Sequence, residues 1–483
     1  MTAAVARTRL RSVLLSDLLG PVHARATTLP IDGVDVRDLA YDSRRVGDGT
    51  LFFCVPGATT DGHDHADDAV RAGACALVVE RVLPVAVPQI VVDSCRAAMG
   101  PVADLFYGRP TAQLLVLGVT GTNGKTTTAA LQHAILTAAG HATGLLGTIE
   151  RRIGGAALPA QRTTAEAIDL HHDFRRMLDA GDTACAMEVS SHALDQQRVG
   201  GVRFAAAAFT NLTQDHLDYH HDLESYFAAK ALLFDGRCPT AANADDGYGR
   251  RLPADLRFGI ASTDVDVRAE DVAYGATGTA LRLCTPWGDA DVALRLVGRF
   301  NVENALAAAS TAGLAGIPLD AIVAGLEGVG GVSGRLEVVT TDEPFAVIVD
   351  YAHTADALEN VLRAVRPLAR GRVICVFGCG GDRDRGKRPA MARVACALAD
   401  HVIITSDNPR SEDPQAIIDE IAVGADGRHE LEPDRQRAIA RAISLAEAGD
   451  VVLIAGKGHE QGQDVAGIIT PFDDRDVARE VLA

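Results

Sequence analysis

An apolar run, Leu114 to Leu117, leads into Gly118-Val119-Thr120-Gly121-Thr122-Asn123-Gly124-Lys125-Thr126-Thr127-Thr128, and a helical pattern follows. Strand, glycine turn and helix start in that order build a phosphate site. Backbone N–H groups from Gly121 through Thr122, Asn123 and Gly124 to Thr127 can close around phosphate oxygens. Lys125 adds a mobile cation for the terminal phosphates, and the Thr126 hydroxyl can meet Mg²⁺. The chain therefore reads as an NTP user. The usual spacing puts four residues between the first glycine and Gly-Lys; here Gly118 lies one residue too far away and Val119 holds the expected place.

Further chemistry follows at strand ends. Glu188 lies in the strand-like run Ala184–Val189 and precedes Ser190, Ser191 and His192. That sets hard oxygen ligands at the carboxyl edge of the same sheet, where open α/β sheets bind their ligands, and the carboxylate can share a Mg²⁺ with Thr126. The run Phe204–Phe209 then delivers Thr210 to Asp218, within which His216 is either a metal ligand or an ordinary polar-loop histidine. Lys230 has Tyr226, Phe227, Leu233 and Phe234 as its helical neighbours at three and four residues, and none is an acid. Two readings stand open. The stem packs and the ammonium snorkels to water, or the amine is desolvated, its pKa falls below the usual ~10.4, and the neutral form takes up CO₂ as a carbamate able to ligate Mg²⁺.

Near the end of the chain the runs His401–Thr405 and Val451–Ala455 deliver Ser406-Asp407-Asn408-Pro409-Arg410 and Gly456-Lys457-Gly458-His459-Glu460. Both loops follow strands, so both can face one crevice. Arg410 and Arg383 suit a carboxylate held by forked hydrogen bonds, while Asp407 and Glu460 suit an ammonium. Together they describe a pocket for one end of an amino acid, although Asp-Asn-Pro-Arg would also serve as a turn opening a helix. Gly378-Cys379-Gly380-Gly381 is no dinucleotide fingerprint, because Arg383 stands where its third glycine belongs.

The elements that must hold these groups alternate. Short strand-like runs, Thr50–Val55 and Ala76–Val79 among them, precede Gly108-Arg109-Pro110. Strands then alternate with helices, one of them around Ile168–Leu178, up to a glycine cluster (Gly328, Gly330, Gly331, Gly334) that reads as a hinge. Beyond it Phe345–Val349, Val373–Phe377, His401–Thr405 and Val451–Ala455 repeat the pattern. The expectation is an α/β protein of three domains: residues 1–108 a small α/β domain, 109–330 a central P-loop ATPase-like domain on a mostly parallel sheet, and 331–483 a Rossmann-like α/β domain.

Composition excludes several classes. A net charge of −18 and 4% aromatic residues argue against a nucleic-acid partner. An anionic substrate would need gathered cations, and Arg383, Arg385, Lys387 and Arg388 are one such gathering. Nine cysteines without a CxxC pair fit free thiols. No apolar run approaches the roughly 20 residues of a membrane span, and the N-terminus lacks a leader pattern, so a cytoplasmic enzyme is expected. No oligomer is implied.

These residues, in this order, resemble the Mur ligase family over nearly the whole chain. The resemblance rests on Asp42-Ser43-Arg44, Gly121 to Thr126, Thr163-Thr164, Glu188 to His192, Asn211 to His220, Lys230, Asn301-Val302-Glu303-Asn304, Gly334-Arg335-Leu336-Glu337, Asp350 to Thr354 and Asp407 to Arg410. It implies ATP- and Mg²⁺-dependent amide ligation of meso-2,6-diaminopimelate to the D-glutamate side chain of UDP-N-acetylmuramoyl-L-alanyl-D-glutamate, a step of cell-wall precursor synthesis. It further implies that Ser43, Ala58, Thr59 and Thr60 meet the UDP end, and that Thr163, Thr164, Ser190, Gln196 and Arg198 meet the muramoyl-peptide. Asn304, Arg335 and Asp350 would serve ATP, with His353 nearby. Lys125, Glu188, His216 and Lys230 would be catalytic, the metal lying among Thr126, Glu188, His216 and a carbamylated Lys230. Arg383, Asp407, Asn408, Pro409, Arg410, Gly456 and Glu460 would take diaminopimelate. Ala165 and Ser333 stand where many members carry proline. Neighbouring readings are a lysine-adding ligase of the same family and a folylpolyglutamate-synthase-like ligase. Outside ligases, a small-molecule kinase leaves the amino acid pocket unexplained, and a noncatalytic ATP-gated binder would not need Glu188 or Lys230.

Overall fold

The computed structural model describes residues 12–57, 60–275, 278–339, 343–427 and 429–482, so Ala58 and Thr59 lie outside the described residues. Two compact units result, residues 1–116, 142–185 and 189–205 forming the first and 117–141, 186–188 and 206–483 the second.

The first unit contains a five-stranded sheet in the order Ala26–Thr27, Gln89–Val91, Ala74–Val79, Thr50–Phe53, Asp38–Ala40, parallel except for its first pair. Thr50–Phe53 is buried along its whole length, as a parallel strand covered on both faces must be. Its alternation divides two cores. Leu51 and Phe53 pack with Met99 and Val102 of the helix Cys95–Phe106, while Phe52 packs with Ala66 and Ala69 of the helix Ala66–Arg71. The longer helix begins where the Ser94 hydroxyl accepts the Ala97 N–H at 3.2 Å. The strands Thr143–Leu146, Glu150–Ile153 and Ala156–Pro159 pair antiparallel, and the helix Ala167–Ala180 stops at Gly181, whose φ of 93° closes its last turn.

His171 of that helix is fully buried, its Nε2 2.9 Å from the Gly200 carbonyl oxygen. Burial pushes its pKa down to about 4, against the pull of that hydrogen bond. The folded chain therefore holds it neutral where an unfolded chain takes up a proton near ~6.5, and the stability this contributes above that pH is lost as pH falls towards the folded value. Replacing His171 by glutamine is expected to flatten the fall of the thermal unfolding midpoint between about pH 6.5 and 4 relative to the parent. Parallel curves for parent and variant in calorimetry would refute the assignment.

In the second unit a sheet carries, in order, the end of Ala184–Glu188, then Leu115–Thr120, Ala206–Phe209, Thr240–Asn243 and Leu256–Gly259. An extension of Val267–Tyr274, Thr279–Thr285 and Gly288–Leu294 follows, antiparallel among themselves. Leu115–Thr120 runs straight through Gly118, so Gly118 is a strand residue and the phosphate loop begins at Gly121. Thr120 lies opposite Phe209 in parallel register, which brings the loops after both strands out at one edge.

A second sheet runs Glu337–Val339, Ala346–Asp350, Val451–Ala455, Val373–Phe377, His401–Ile404, His429–Leu431, parallel except for its first pair. Val373, Cys375 and Phe377 face one core and Ile374 and Val376 the other. Asp350 is in register with Ala455, and Phe377 with Ile404, so the loops after all four strands leave at a common edge. The glycine cluster read as a hinge contains one tightly packed member. Gly334 has φ +66°, and a Cβ there would lie 2.2 Å from the His459 backbone nitrogen, so glycine is required for close approach at this point. Among the described residues no cysteine is joined in a disulfide. Among the described residues no helix is long and apolar enough to cross a membrane.

Candidate active site

The phosphate loop is tied to the neighbouring strand's loop by hydrogen bonds. Thr122 N–H donates to the Asn211 carbonyl at 2.8 Å, Asn123 N–H to Asn211 Oδ1 at 2.9 Å, and the Thr210 hydroxyl to the Asn123 carbonyl at 2.6 Å. Gly124 opens the helix Lys125–Ala138 with φ +88°, and a Cβ there would sit 2.2 Å from Asn304 Oδ1. No other residue type meets both demands without displacing Asn304. A cavity of about 80 Å³ is lined by Asn123, Gly124, Thr127, Asn304, Arg335 and Asp350, which gathers most of the expected nucleotide residues around one space.

At its polar end the Thr126 hydroxyl donates to Glu188 Oε2 at 3.1 Å and accepts from Arg335 Nη2 at 3.1 Å. Lys125 turns back on its loop, Nζ donating to the Gly121 and Thr122 carbonyls at 3.0 and 2.8 Å. Burial pushes its pKa down, with Glu188 and Asp215 pulling it up. Asp350 is buried and accepts the N–H groups of Leu336 and Ala352, each at 2.7 Å. Burial raises its carboxyl against the pull of Arg335.

Lys230 does not snorkel. It is 1% exposed, sits 4.5 Å from the Tyr226 ring centroid and donates to the Gly121 carbonyl at 2.7 Å. Burial, and then the charge of Lys125, hold its pKa well below the ordinary lysine value. His216 takes a left-handed φ of 55° beside buried Asp215, its Nε2 3.4 Å from Asp215 Oδ2. Asp215 also lies 3.5 Å from His353 Nε2 and 3.8 Å from Lys387 Nζ. Burial pushes its carboxyl up, but the hydrogen bond with His353 and the neighbouring His216 and Lys387 hold it well below the usual range. Asp215, Tyr226 and Asp356, which accepts from Asn123 Nδ2 at 2.9 Å, were not legible as site residues, because their partners come from distant segments.

The two loops expected to form an amino acid pocket lie against each other. Asn408 Nδ2 donates to Glu460 Oε2 at 2.7 Å, Asp407 is buried, Gly456 N–H donates to the Asp350 carbonyl at 3.1 Å, and Pro409 is buried behind them. Arg410 Nη1 donates to the Gly381 carbonyl at 2.7 Å. Arg383 is exposed and, among the described residues, bonds only its neighbour's carbonyl, Asp382 O, at 2.9 Å. The gathered cations beside it are not free for an anion. Arg385 pairs with Glu420, Arg388 with Glu412 and Glu420, and Lys387 faces Asp215.

The expected muramoyl-peptide residues belong to the first unit. Thr164 Oγ1 accepts the Ser190 N–H at 3.1 Å, Arg198 donates to the Thr164 carbonyl at 3.1 Å and to Gln196 Oε1 at 2.7 Å, and Thr163 and Thr148 hydroxyls lie 3.0 Å apart. Buried Glu166 gathers Arg96, Arg162 and Arg198, a cluster of net positive charge. Ser43 starts a turn held by the Asp42 carboxylate, and Thr60 O accepts the Gly57 N–H at 2.9 Å.

Comparison with known proteins bears on the whole chain. Residues 35–107 match the model of the Mur ligase family, catalytic domain; 119–312 match the Mur ligase middle domain, and 334–458 the Mur ligase, glutamate ligase domain. The UDP-N-acetylmuramoyl-L-alanyl-D-glutamate–2,6-diaminopimelate ligase of Geobacillus kaustophilus is 50% identical over 465 residues, covering 93% of this chain and 95% of that protein. Its counterpart from Geobacter sulfurreducens is 46% identical, covering 92% and 94%. A solved structure of a ligase of that name superposes with a TM-score of 0.68 at 33% identity, covering 98% and 99%. A Mycobacterium tuberculosis folylpolyglutamate synthase, at 18% identity and TM-score 0.62 over 80% of this chain and 94% of that one, shares the fold. With three consecutive family models matched and relatives this similar end to end, the chain belongs to the Mur ligase family.

Proposed function

We infer that this chain joins meso-2,6-diaminopimelate to the D-glutamate side-chain carboxylate of UDP-N-acetylmuramoyl-L-alanyl-D-glutamate, with ATP converted to ADP and phosphate, in peptidoglycan precursor synthesis. The observation that carries the reading is the pocket of Asp407, Asn408, Arg410 and Glu460, two carboxylates and a guanidinium matched to an amino acid end. It shares a unit with the phosphate loop. In this reading residues 1–108 take the UDP end, 109–330 ATP and 331–483 the amino acid.

A carboxylate is a poor electrophile, so ATP first phosphorylates the D-glutamate side chain and the amine of diaminopimelate then displaces phosphate. Loop N–H groups and Lys125 hold the terminal phosphates, and Asn304 packs against Gly124 beside them. The residues fit a divalent cation, since a hydroxyl and a carboxylate, Thr126 and Glu188, already lie 3.1 Å apart. His216 completes the proposed set with Lys230. When bound there, Mg²⁺ would neutralise charge on the transferring phosphoryl group. Lys230 fits a carbamate because it is buried, its pKa is lowered by desolvation, and it is bonded to a carbonyl rather than a carboxylate. As a carbamate it would replace a cation beside Lys125 by an anion.

Arg410 favours diaminopimelate over L-lysine, which has no distal carboxylate for a guanidinium, and sites built around such a contact reject analogues lacking it by up to ~10⁴-fold. Mass spectrometry of the product with both amino acids offered together, on substrate labelled with ¹⁸O in the D-glutamate carboxylate, tests the whole reading. The diaminopimelate tripeptide and one ¹⁸O in released phosphate are expected. A lysine product overturns the specificity, and unlabelled phosphate overturns the acyl phosphate.

A further inference from the structure

Lys457 lies beneath the amino acid pocket and is fully buried. Its Nζ donates to Asn408 Oδ1 and to Glu460 Oε2, each at 3.0 Å. Asn408 Oδ1 also accepts the Asp464 N–H at 3.0 Å, which fixes the orientation of the amide and aims its Nδ2 at Glu460 Oε2, 2.7 Å away. Two donors thus converge on one oxygen of Glu460. The other, Oε1, has no hydrogen-bond partner among the described residues, and the side chain is 29% exposed. A carboxylate held by one edge and open at the other is shaped to receive an ammonium.

The charges facing this carboxylate come from every loop around it. Asp407 lies on the neighbouring loop; Arg435 stands behind, bound through Nε and Nη2 to Asp474 at 2.7 Å each and to the Ser406 and Ala455 carbonyls. Tyr351 and His353 approach from the loop after Ala346–Asp350. Arg435 is held by Asp474, and against the push of burial Lys457 and Arg435 both draw the Asp407 carboxyl down, Lys457 more strongly.

We propose that Lys457 is a positioning residue for amine recognition: it holds Glu460 and Asn408 in place, so that the incoming zwitterion meets an oriented carboxylate without Lys457 touching it. The inference rests on the functional reading above. It assigns specificity to a residue whose burial hides it from the substrate.

The test compares parent, Lys457→Met and Lys457→Gln for KM and kcat with diaminopimelate and with ATP between pH 6.5 and 9. Losing a hydrogen bond to a charged group is expected to raise KM for diaminopimelate by about 10-fold or more in Lys457→Met, with KM for ATP unchanged. The rise should be steepest at the acid end, because carboxylates without a counter-cation bind protons more readily. Lys457→Gln, which retains a donor but no charge, should recover part of the KM at the alkaline end. Equal changes in both KM values, a pH profile parallel to the parent, or failure of both variants to fold would overturn the assignment in favour of a structural role. A parent enzyme that joins no diaminopimelate would overturn the functional reading and this inference together; a parent that does, with an unaltered Lys457→Met, overturns this inference alone.

Discussion

Replacing Lys230 by alanine is expected to lower kcat by about 10²- to 10³-fold, the scale on which single preorganised electrostatic groups act, and millimolar short-chain carboxylic acids are expected to restore part of it. The physical grounds are local. The side chain is 1% exposed, its Nζ shares the Gly121 carbonyl with Lys125, and two ammonium groups cannot both stay charged there without penalty. Desolvation lowers the amine pKa, which raises the neutral fraction that reacts with CO₂ near neutral pH. The carbamate then carries the opposite charge to the ammonium it replaces, so alanine removes an anion rather than a cation. An added carboxylate of similar size can enter the space left and supply that anion. A ¹³C carbonyl resonance on the parent enzyme, acquired from labelled bicarbonate and lost in Lys230→Ala, checks the same point without turnover. A variant with full activity, or one inactive and indifferent to every carboxylic acid tried, removes the carbamate from the mechanism.

The strand runs were readable because the two sheets of the second unit are mostly parallel and buried on both faces, which compresses each strand into an uninterrupted apolar run. Val373–Phe377 and Val451–Ala455 appear as read. The phosphate loop was legible because its residues are contiguous. Gly118, one residue too far away for the usual spacing, continues a strand that pairs with its parallel neighbour as far as Thr120. Lys230 shows the limit of periodicity. Its helix has little amphipathic contrast, and whether its amine reaches water depended on Gly121 and Tyr226 closing over it, which sequence spacing does not encode. The cations Arg385, Lys387 and Arg388 show the opposite error. They cluster in sequence, yet their acidic partners, Glu412, Glu420 and Asp215, arrive from elsewhere in the chain and neutralise them.

Truncating Arg410 to alanine is expected to raise KM for diaminopimelate by about 10²-fold or more, the usual consequence of removing one side of a buried charge-assisted contact, while KM for ATP stays within about twofold of the parent. Arg410 is placed by its backbone before its side chain acts. Its φ of +52° is a left-handed conformation that an arginine adopts only under constraint. The constraint is the hairpin Gly462–Val465 and Ile468–Pro471: Arg410 N–H donates to the Asp464 carbonyl at 3.0 Å and its own carbonyl accepts the Ala466 N–H at 2.7 Å. Among the described residues Nη1 alone is engaged, by the Gly381 carbonyl, and the rest of the fork can take a carboxylate. The same geometry predicts a change in selectivity. In the parent, L-lysine leaves the guanidinium without its partner, whereas in Arg410→Ala neither amino acid has one to lose. The ratio of kcat/KM for diaminopimelate over lysine should therefore collapse towards unity, chiefly by loss with diaminopimelate. Arg410→Lys should fall between, keeping the charge without the fork. An Arg410→Ala enzyme whose KM for ATP rises as far as that for diaminopimelate, or whose selectivity is unchanged, would mean that Arg410 supports the loop and does not read the substrate.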